Sequence, residues 1–250
     1  AQDKGQFAAL RPDSDLGRAM ADALARGTAS AGLPSPTIQF HTPGMPAITA
    51  AAKTLSDYGN RRGPLDAQIR QARALGTADG RRQAQELARQ PIPPPPFNAL
   101  LLADTGDELA EVAAMLPYYD VDKSHVQIVG PAIWALSASG SSVVNGAWYA
   151  APDPAARANL EQSYTAQYGA PPPPLADLAY DAASIARVTA AQGGFSVGAL
   201  TQPAGYAGMD GWLSLLPDGQ VRRGLAVFRI EQVGPQMVEP APQSGDVPGT

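Results

Sequence analysis

The chain has 250 residues, enough for one large domain or two small ones with a sizeable core. Its formal net charge of -5 argues against a nucleic-acid partner, which would require a basic face. Cysteine is absent, which excludes disulfides, thiolate metal sites and a cysteine nucleophile, and no apolar run is long enough to span a membrane.

The chain begins with two predicted strands separated by a helix. Strands are predicted at residues 6–10 and 37–41, and an apolar helical stripe runs from residue 16 to 27. Ser14 or Asp15 is the predicted N-cap of this helix. A strand, a crossover helix and a second strand in this order predict parallel pairing.

Residues 47–89 are predicted to be helical and contain a basic cluster. Its arginines are Arg61, Arg62, Arg70, Arg73, Arg81 and Arg82. They are consistent with a docking face for an anionic partner. Carboxylates are interspersed among them, so a solvated helical surface is the alternative interpretation. The proline run that follows, residues 91–96, predicts an extended connector.

The stretch from residue 97 to 134 carries the clearest pattern. The apolar run 99–103 ends at Asp104 and Thr105, and it predicts a strand buried on both faces. Either residue can cap the helix that follows. Residues 126–129 predict the next buried strand. Together these elements form another strand-helix-strand unit, so the predicted fold class is α/β, a parallel sheet flanked by helices.

The rest of the chain combines helices with short strands. A flexible polar segment is predicted at residues 137–142, a strand at 145–150, and helices at 155–168 and 175–191. Beyond residue 205, turn residues separate short strands. The Asp218-Gly219 turn indicates a β-hairpin, and residues 236–239 predict a last edge strand.

Candidate binding residues follow the predicted strands or lie on a later helix. In parallel α/β sheets, ligands bind beyond the carboxyl ends of the strands. The candidate ligand-binding residues are Asp15, Asp104, Thr105, Trp134, Tyr180 and Asp181. The alternatives are that the acidic residues cap helices or complement helix dipoles, and that the aromatic residues belong to the core.

The sequence contains no recognisable catalytic constellation. It has no nucleophile elbow, zinc-protease helix, P-loop or dinucleotide-binding glycine motif. His41 ends a strand and has no partner at metal-ligand spacing, so no metal site, cofactor or catalytic residue is predicted. The enzymatic alternative is an acid/base pair at Asp13/Asp15 or Asp104/Asp107. We expect binding without catalysis.

The order of motifs along the chain resembles a known family. The series is FNALLLAD, LPYYDVD, VQIVG and NGAWYAAPDP, followed by YGAPP, LAYDA, GMDG, DGQV and LAVFRI. It is similar to the type 1 periplasmic binding protein fold, as in receptors for branched-chain amino acids such as Leu, Ile and Val. It is most like the lipoproteins that activate penicillin-binding proteins. The resemblance covers about residues 5–242.

This resemblance implies two lobes, with most of the first lobe missing from this chain. Residues 1–150 would form the second-lobe α/β domain, and residues 151–242 the helices and β tail that return toward the first lobe. Residues 243–250 are expected to be a disordered tail. Receptors of this fold often have tyrosine where this sequence has Leu16, before Gly17.

The resemblance also implies a function. It points to a non-enzymatic cell-envelope lipoprotein of the periplasm and outer membrane that activates a peptidoglycan synthase by protein contact. Membrane attachment would occur only through a lipid anchor outside this chain. The alternative is a periplasmic solute receptor that binds amino acids or another small polar ligand and feeds an ABC transporter.

Overall fold

A computed structural model describes residues 5–137, 142–173 and 176–242. The chain divides into two compact units. Unit 1 comprises Ala1–Trp148 and Ile230–Gly234, and unit 2 comprises Tyr149–Arg229 and Pro235–Thr250. The predicted tail and most of the predicted polar segment at 137–142 lie outside the described residues. The assignment of residues 1–150 and 151–242 to lobes stays a prediction.

Unit 1 is built on parallel strands. They are β1 (Phe7–Pro12), β2 (Thr37–His41), β3 (Ala99–Leu102) and β4 (Gln127–Gly130). Their order is β4-β3-β1-β2, and each neighbouring pair is parallel. Every residue of β3 is buried, as its continuous apolar run predicted. The predicted α/β class, a mostly parallel sheet with flanking helices, is confirmed.

The helices of unit 1 connect these strands. They are α1 (Asp15–Ser30), α2 (Met45–Leu55), α3 (Tyr58–Ala74), α4 (Ala78–Ala88), α5 (Gly106–Met115) and α6 (Trp134–Ser137). Ser14 caps α1, and its hydroxyl accepts a hydrogen bond from the Gly17 N–H at 3.1 Å. Thr105 occupies the N-cap position of α5, but its side chain makes no capping hydrogen bond.

The long helical stretch between β2 and β3 is interrupted twice. Asp57 adopts a left-handed conformation with φ of 52° and separates α2 from α3. Leu75–Thr77 then form the turn between α3 and α4. These two helices pack around Ile69, Ala72 and Ala84. We call residues 58–89 the helical hairpin.

Unit 2 combines helices with short strands. The helices are α7 (Pro154–Tyr168), α8 (Ala176–Ala191) and α9 (Val197–Leu200). The strands after them are β6 (Tyr206–Gly208), β7 (Gly211–Leu215) and β8 (Val221–Arg223), which form an antiparallel sheet. The Asp218-Gly219 turn joins β7 to β8, as predicted. Gly219 has φ of +84°, which suits a residue without a side chain.

Three more strands have residues in both units. They are β5 (Trp148–Ala151), β9 (Ala226–Glu231) and β10 (Gly234–Glu239). The strand predicted at 145–150 begins later than expected, because the preceding residues form a turn closed by the hydrogen bond from Ala147 N–H to Val144 O at 2.9 Å. The edge strand predicted at 236–239 is present as β10.

Candidate functional site

The carboxyl ends of the strands in unit 1 form the first candidate site. His41 is the last residue of β2, and Asp104 lies two residues beyond β3. Since β1 lies between these strands, the two side chains meet across its end. His41 Nε2 lies 3.0 Å from Asp104 Oδ1, and both side chains are 0% exposed. No pattern in the sequence indicated this pair.

The contacts of His41 place a proton on Nδ1 and shift the pKa of the ring. Nδ1 lies 3.2 Å from the Thr42 carbonyl oxygen, which only accepts, so Nδ1 carries a proton. Burial acts to lower the pKa of His41. The interaction with Asp104 and its negative charge outweigh burial, with a smaller contribution from Glu108, so the pKa of His41 is raised. The neighbouring Asp104 side chain therefore favours the protonated form of the His41 ring. Its distance is that of an ion pair, although its angles are not those of a regular hydrogen bond.

Trp134 completes this buried cluster. Its indole N–H donates to the main-chain oxygen of Asp104 at 3.0 Å, and the residue is 0% exposed. The ring lies over Gly130, where a Cβ atom would come within 2.4 Å of the ring carbons. The structure thus brings two of the candidate residues together, and neither presents a polar side-chain atom to solvent.

The other two candidates of unit 1 have different surroundings. The Asp15 side chain is 100% exposed and pairs with Arg18 at 2.7 Å. Thr105 is partly buried at the start of α5. A ligand would therefore meet an Asp15 carboxylate that is already paired and an Asp104 carboxylate that is enclosed.

The second candidate site lies in unit 2, around the loop that joins β6 to β7. A cavity of about 550 Å³ is lined by this loop and by Tyr180, Tyr206 and Trp212. Tyr180 is 49% exposed and also lines a neighbouring cavity of about 440 Å³. Its position fits the prediction that it lines a cleft, whereas its role in binding a ligand stays a prediction.

Buried charges hold the loop in place. Asp181 is 4% exposed at its side chain and pairs with Arg223 at 2.9 Å. Its other oxygen accepts a hydrogen bond from the Met209 N–H at 2.7 Å, which ties the loop to α8. Asp177, one turn earlier on α8, pairs with Arg157 at 2.6 Å. The predicted site residue Asp181 therefore has internal partners on both carboxylate oxygens.

Asp210 is the carboxylate of this region with the weakest pairing. It lies 3.9 Å from Arg223, which already binds Asp181. Burial raises the pKa of Asp210, and the charge of Asp177 adds to this effect. Its Oδ1 atom is buried without a hydrogen-bond partner in the described part of the chain, and the residue lines the cavity. This oxygen can accept a hydrogen bond from an ammonium or hydroxyl group of a ligand.

Sequence reasoning missed Asp210 and its partner Arg223. The signal was weak, since Asp210 is the single acidic residue of the GMDG motif and Arg223 follows the hairpin turn. Within residues 5–137, 142–173 and 176–242, no group of three or more His, Asp or Glu side chains is arranged to hold a metal ion. None of the helices in these ranges has the length and hydropathy of a membrane-spanning segment.

The fold is similar to that of several solved structures. A Rhodospirillum rubrum protein assigned to a branched-chain amino acid ABC transporter matches with 18% identity and a TM-score of 0.54, over 94% of this chain and 61% of that chain. Full-length LpoA from Haemophilus influenzae matches with 16% identity and a TM-score of 0.54, over 94% and 36%. A branched chain amino acid ABC transporter periplasmic ligand-binding protein from Burkholderia xenovorans matches with 13% identity and a TM-score of 0.53, over 98% and 61%.

These likenesses establish the fold. The chain has the type 1 periplasmic binding protein fold, as the resemblance in sequence implied. It spans 61% of the Rhodospirillum protein and 36% of LpoA. The sequence matches no protein-family model and no curated protein. At these identities the likeness shows the fold and leaves the function to be argued from the sites.

Proposed function

We propose that this chain belongs to a non-enzymatic cell-envelope protein that activates a peptidoglycan synthase, a penicillin-binding protein, by direct contact. The observation that carries the proposal is the enclosure of Asp104 by His41 and Trp134. A solute receptor needs polar groups that are open to ligand at its strand ends. In unit 1 the central carboxylate is instead used for internal packing.

The structural relatives include both an activator and solute-binding proteins. LpoA, an activator of penicillin-binding proteins, shares the fold, and the other relatives are binding proteins for amino-acid transport. None of these three is an enzyme. We propose that the protein is periplasmic, as a lipoprotein of the outer membrane. We propose no nucleic-acid partner.

The proposal is tested with a purified penicillin-binding protein from the same organism. We expect added full-length protein to increase the rate of glycan polymerisation or of peptide cross-linking. Heat-unfolded protein at the same concentration is the control for non-specific crowding. An unchanged rate in both assays, with folded protein in excess over the synthase, would count against activation.

The second candidate function is a solute receptor for an ABC transporter, and the cavity of unit 2 favours it. Asp210 presents a buried, unpartnered oxygen there, beside the aromatic side chains of Tyr180 and Trp212. A ligand with an ammonium group and an apolar body would suit these groups. Isothermal titration with single amino acids checks this candidate. Binding that disappears in Asp210→Asn would support the receptor.

A further inference from the structure

The helical hairpin carries a charge opposite to that of the rest of the chain. Between residues 58 and 89 there are seven arginines, three carboxylates and no lysine, which gives a net charge of +4. The remaining residues sum to -9. Positive charge is therefore concentrated in one short segment of an acidic protein. A charge asymmetry of this kind orients a protein in the field of a charged surface.

The packing of the hairpin leaves its outer faces uncovered. Helix α4 packs chiefly against α3, and the small core between them consists of Ile69, Ala72 and Ala84, with Leu65 and Leu87 at its edge. The hairpin interrupts the crossover from β2 to β3, where α2 already connects the two strands. Its exposed side chains are thus not required by the parallel sheet.

Some of the arginines have internal partners. They are Arg62 with Asp66, Arg82 with Asp79, and Arg61, which donates to backbone carbonyl groups. Arg70 and Arg73 are exposed, stand three residues apart on one face of α3, and have no carboxylate partner among the residues that the structure describes. Arg81 is exposed and donates to the Gly76 carbonyl oxygen at the tip.

The tip of the hairpin also exposes an apolar side chain. Leu75 is 60% exposed and lies in the turn between α3 and α4. Gly76, next to it, has φ of +66°, so the turn is tight. The result is an exposed leucine in the turn between two helices that carry exposed arginines. We call Arg70, Arg73, Leu75 and Arg81 the basic tip.

We propose that the basic tip binds the surface of a lipid bilayer that contains anionic phospholipid. Guanidinium groups match phosphate oxygens with two parallel hydrogen bonds. An apolar side chain beside them can enter the boundary between headgroups and acyl chains. The net negative remainder of the chain is repelled by the same surface, so the hairpin would approach it first.

The composition of the hairpin favours a bilayer over an acidic protein as the occupant. Protein interfaces concentrate binding energy in aromatic anchors within a well-packed apolar centre. Beyond Tyr58 the hairpin contains no aromatic residue, and the basic tip offers Leu75 as its single apolar side chain. Attraction to a bilayer needs no shaped counterpart, since it grows with the number of basic residues.

This contact is additional to the lipid anchor that the resemblance implied. The proposal does not depend on the activation of a synthase. Its test uses the 250-residue chain without lipid modification.

The experiment is co-sedimentation with vesicles of pure phosphatidylcholine and with vesicles of phosphatidylcholine and phosphatidylglycerol in equal amounts. We expect binding to the mixed vesicles alone, weakening as sodium chloride is added. The triple variant Arg70→Gln, Arg73→Gln, Arg81→Gln should bind more weakly by roughly fivefold per arginine, or about a hundredfold in total. Leu75→Ser should cause a smaller loss that salt does not change.

The matched control removes the same charge elsewhere on the surface. It replaces three exposed arginines outside the hairpin, Arg26→Gln, Arg187→Gln and Arg222→Gln. Wild-type affinity in this control, together with loss in the hairpin variant, supports the proposal. Equal binding by both triple variants would overturn it. Absence of binding to the mixed vesicles would also overturn the proposal. This includes the case in which the chain binds poly-glutamate, an acidic polypeptide, but not the vesicles.

Discussion

The two candidate sites bury their carboxylates in different ways. In unit 1, Asp104 faces the imidazole of His41 at 3.0 Å, both side chains are fully enclosed, and neither Asp104 carboxylate oxygen has a regular hydrogen bond among the described residues. In unit 2, the buried Asp177 and Asp181 and the partly buried Asp210 share two arginines, and Asp210 keeps an unpartnered oxygen beside a cavity. We call His41 and Asp104, 3.0 Å apart, the matched pair, whereas Asp210 stands 3.9 Å from Arg223. An unmatched carboxylate next to open volume costs stability and retains the capacity to bind a ligand.

The same physical rule explains both arrangements. Removing a charge from water is costly, and a close partner of opposite sign offsets that cost. His41 offsets the cost of burying Asp104, and the attraction between the two side chains raises the pKa of His41. Arg223 does so for Asp181 at 2.9 Å but stands 3.9 Å from Asp210. The pKa of Asp210 is raised because its burial is only partly offset.

Removing Asp104 would break the matched pair and should have the largest effect. Asp104→Ala leaves the buried His41 side chain without its partner, and breaking a buried pair by removing one member costs about 3–5 kcal/mol. Urea unfolding monitored by circular dichroism measures the change. Glu111→Ala, at an exposed position of α5, is the control and should stay within about 0.5 kcal/mol of wild type. A cost for Asp104→Ala as small as that of the control would mean that the pair is not buried.

Gly130→Ala should have the next largest effect, because it disturbs the packing that encloses Asp104. The added Cβ would come within 2.4 Å of the Trp134 ring, and overpacking of this kind costs about 1–3 kcal/mol. The matched control is Gly27→Ala on α1, where nothing lies within 4 Å of the added atom. That variant should gain up to about 1 kcal/mol. Urea unfolding monitored by circular dichroism provides the readout, and equal effects of the two variants would contradict the packing.

The pH dependence of stability distinguishes the matched pair from an uncharged one. Because the pKa of His41 is raised in the folded state, its contribution is fully present below the unfolded pKa of about 6.5. It is lost as the pH rises through the folded pKa, with a slope of at most about 1.4 kcal/mol per pH unit. Unfolding free energies measured from mildly acidic to alkaline pH should show this decline. His41→Gln should lack it, and a decline of the same size in that variant would assign the effect to another group.

Replacing the unmatched carboxylate should have the smallest effect, and with the opposite sign. Since the pKa of Asp210 is raised on folding, its charge opposes folding at neutral pH. Asp210→Asn should therefore stabilise the protein by up to about 1 kcal/mol, and the gain should shrink as the pH falls through the raised pKa. Glu239→Gln, an exposed control, should leave stability unchanged. Destabilisation by Asp210→Asn would mean that Arg223 pairs fully with this residue.

Local patterns predicted the framework of the fold. The unbroken apolar run of β3 predicted a strand buried on both faces, and the Asp218-Gly219 turn predicted the hairpin of β7 and β8. Ser14 was one of two predicted caps for α1, and its hydroxyl makes the bond. Each of these features depends on neighbours in the sequence, so spacing and residue type were sufficient.

Features that depend on distant residues were not predictable in this way. The pairing of His41 with Asp104 requires the order of three strands, which the sequence does not specify. The break between α2 and α3 is a local feature, but it was also not predicted. It occurs at Asp57, which adopts a left-handed conformation although no turn motif in the sequence indicates one. The raised pKa of Asp210 depends in part on the charges of Asp177 and Asp181, and only the fold brings these residues close to it.

The most direct test of the central claim, that this protein acts by contact and not by enclosing a solute, is thermal unfolding with a panel of amino acids, peptides and muropeptides. The account predicts no stabilisation by any of them. A true ligand at about a hundredfold excess over its Kd would stabilise the protein by about 2.7 kcal/mol, a shift that is readily measured. Such a shift, lost in Asp210→Asn, would contradict the account and identify the protein as a solute receptor that binds through unit 2.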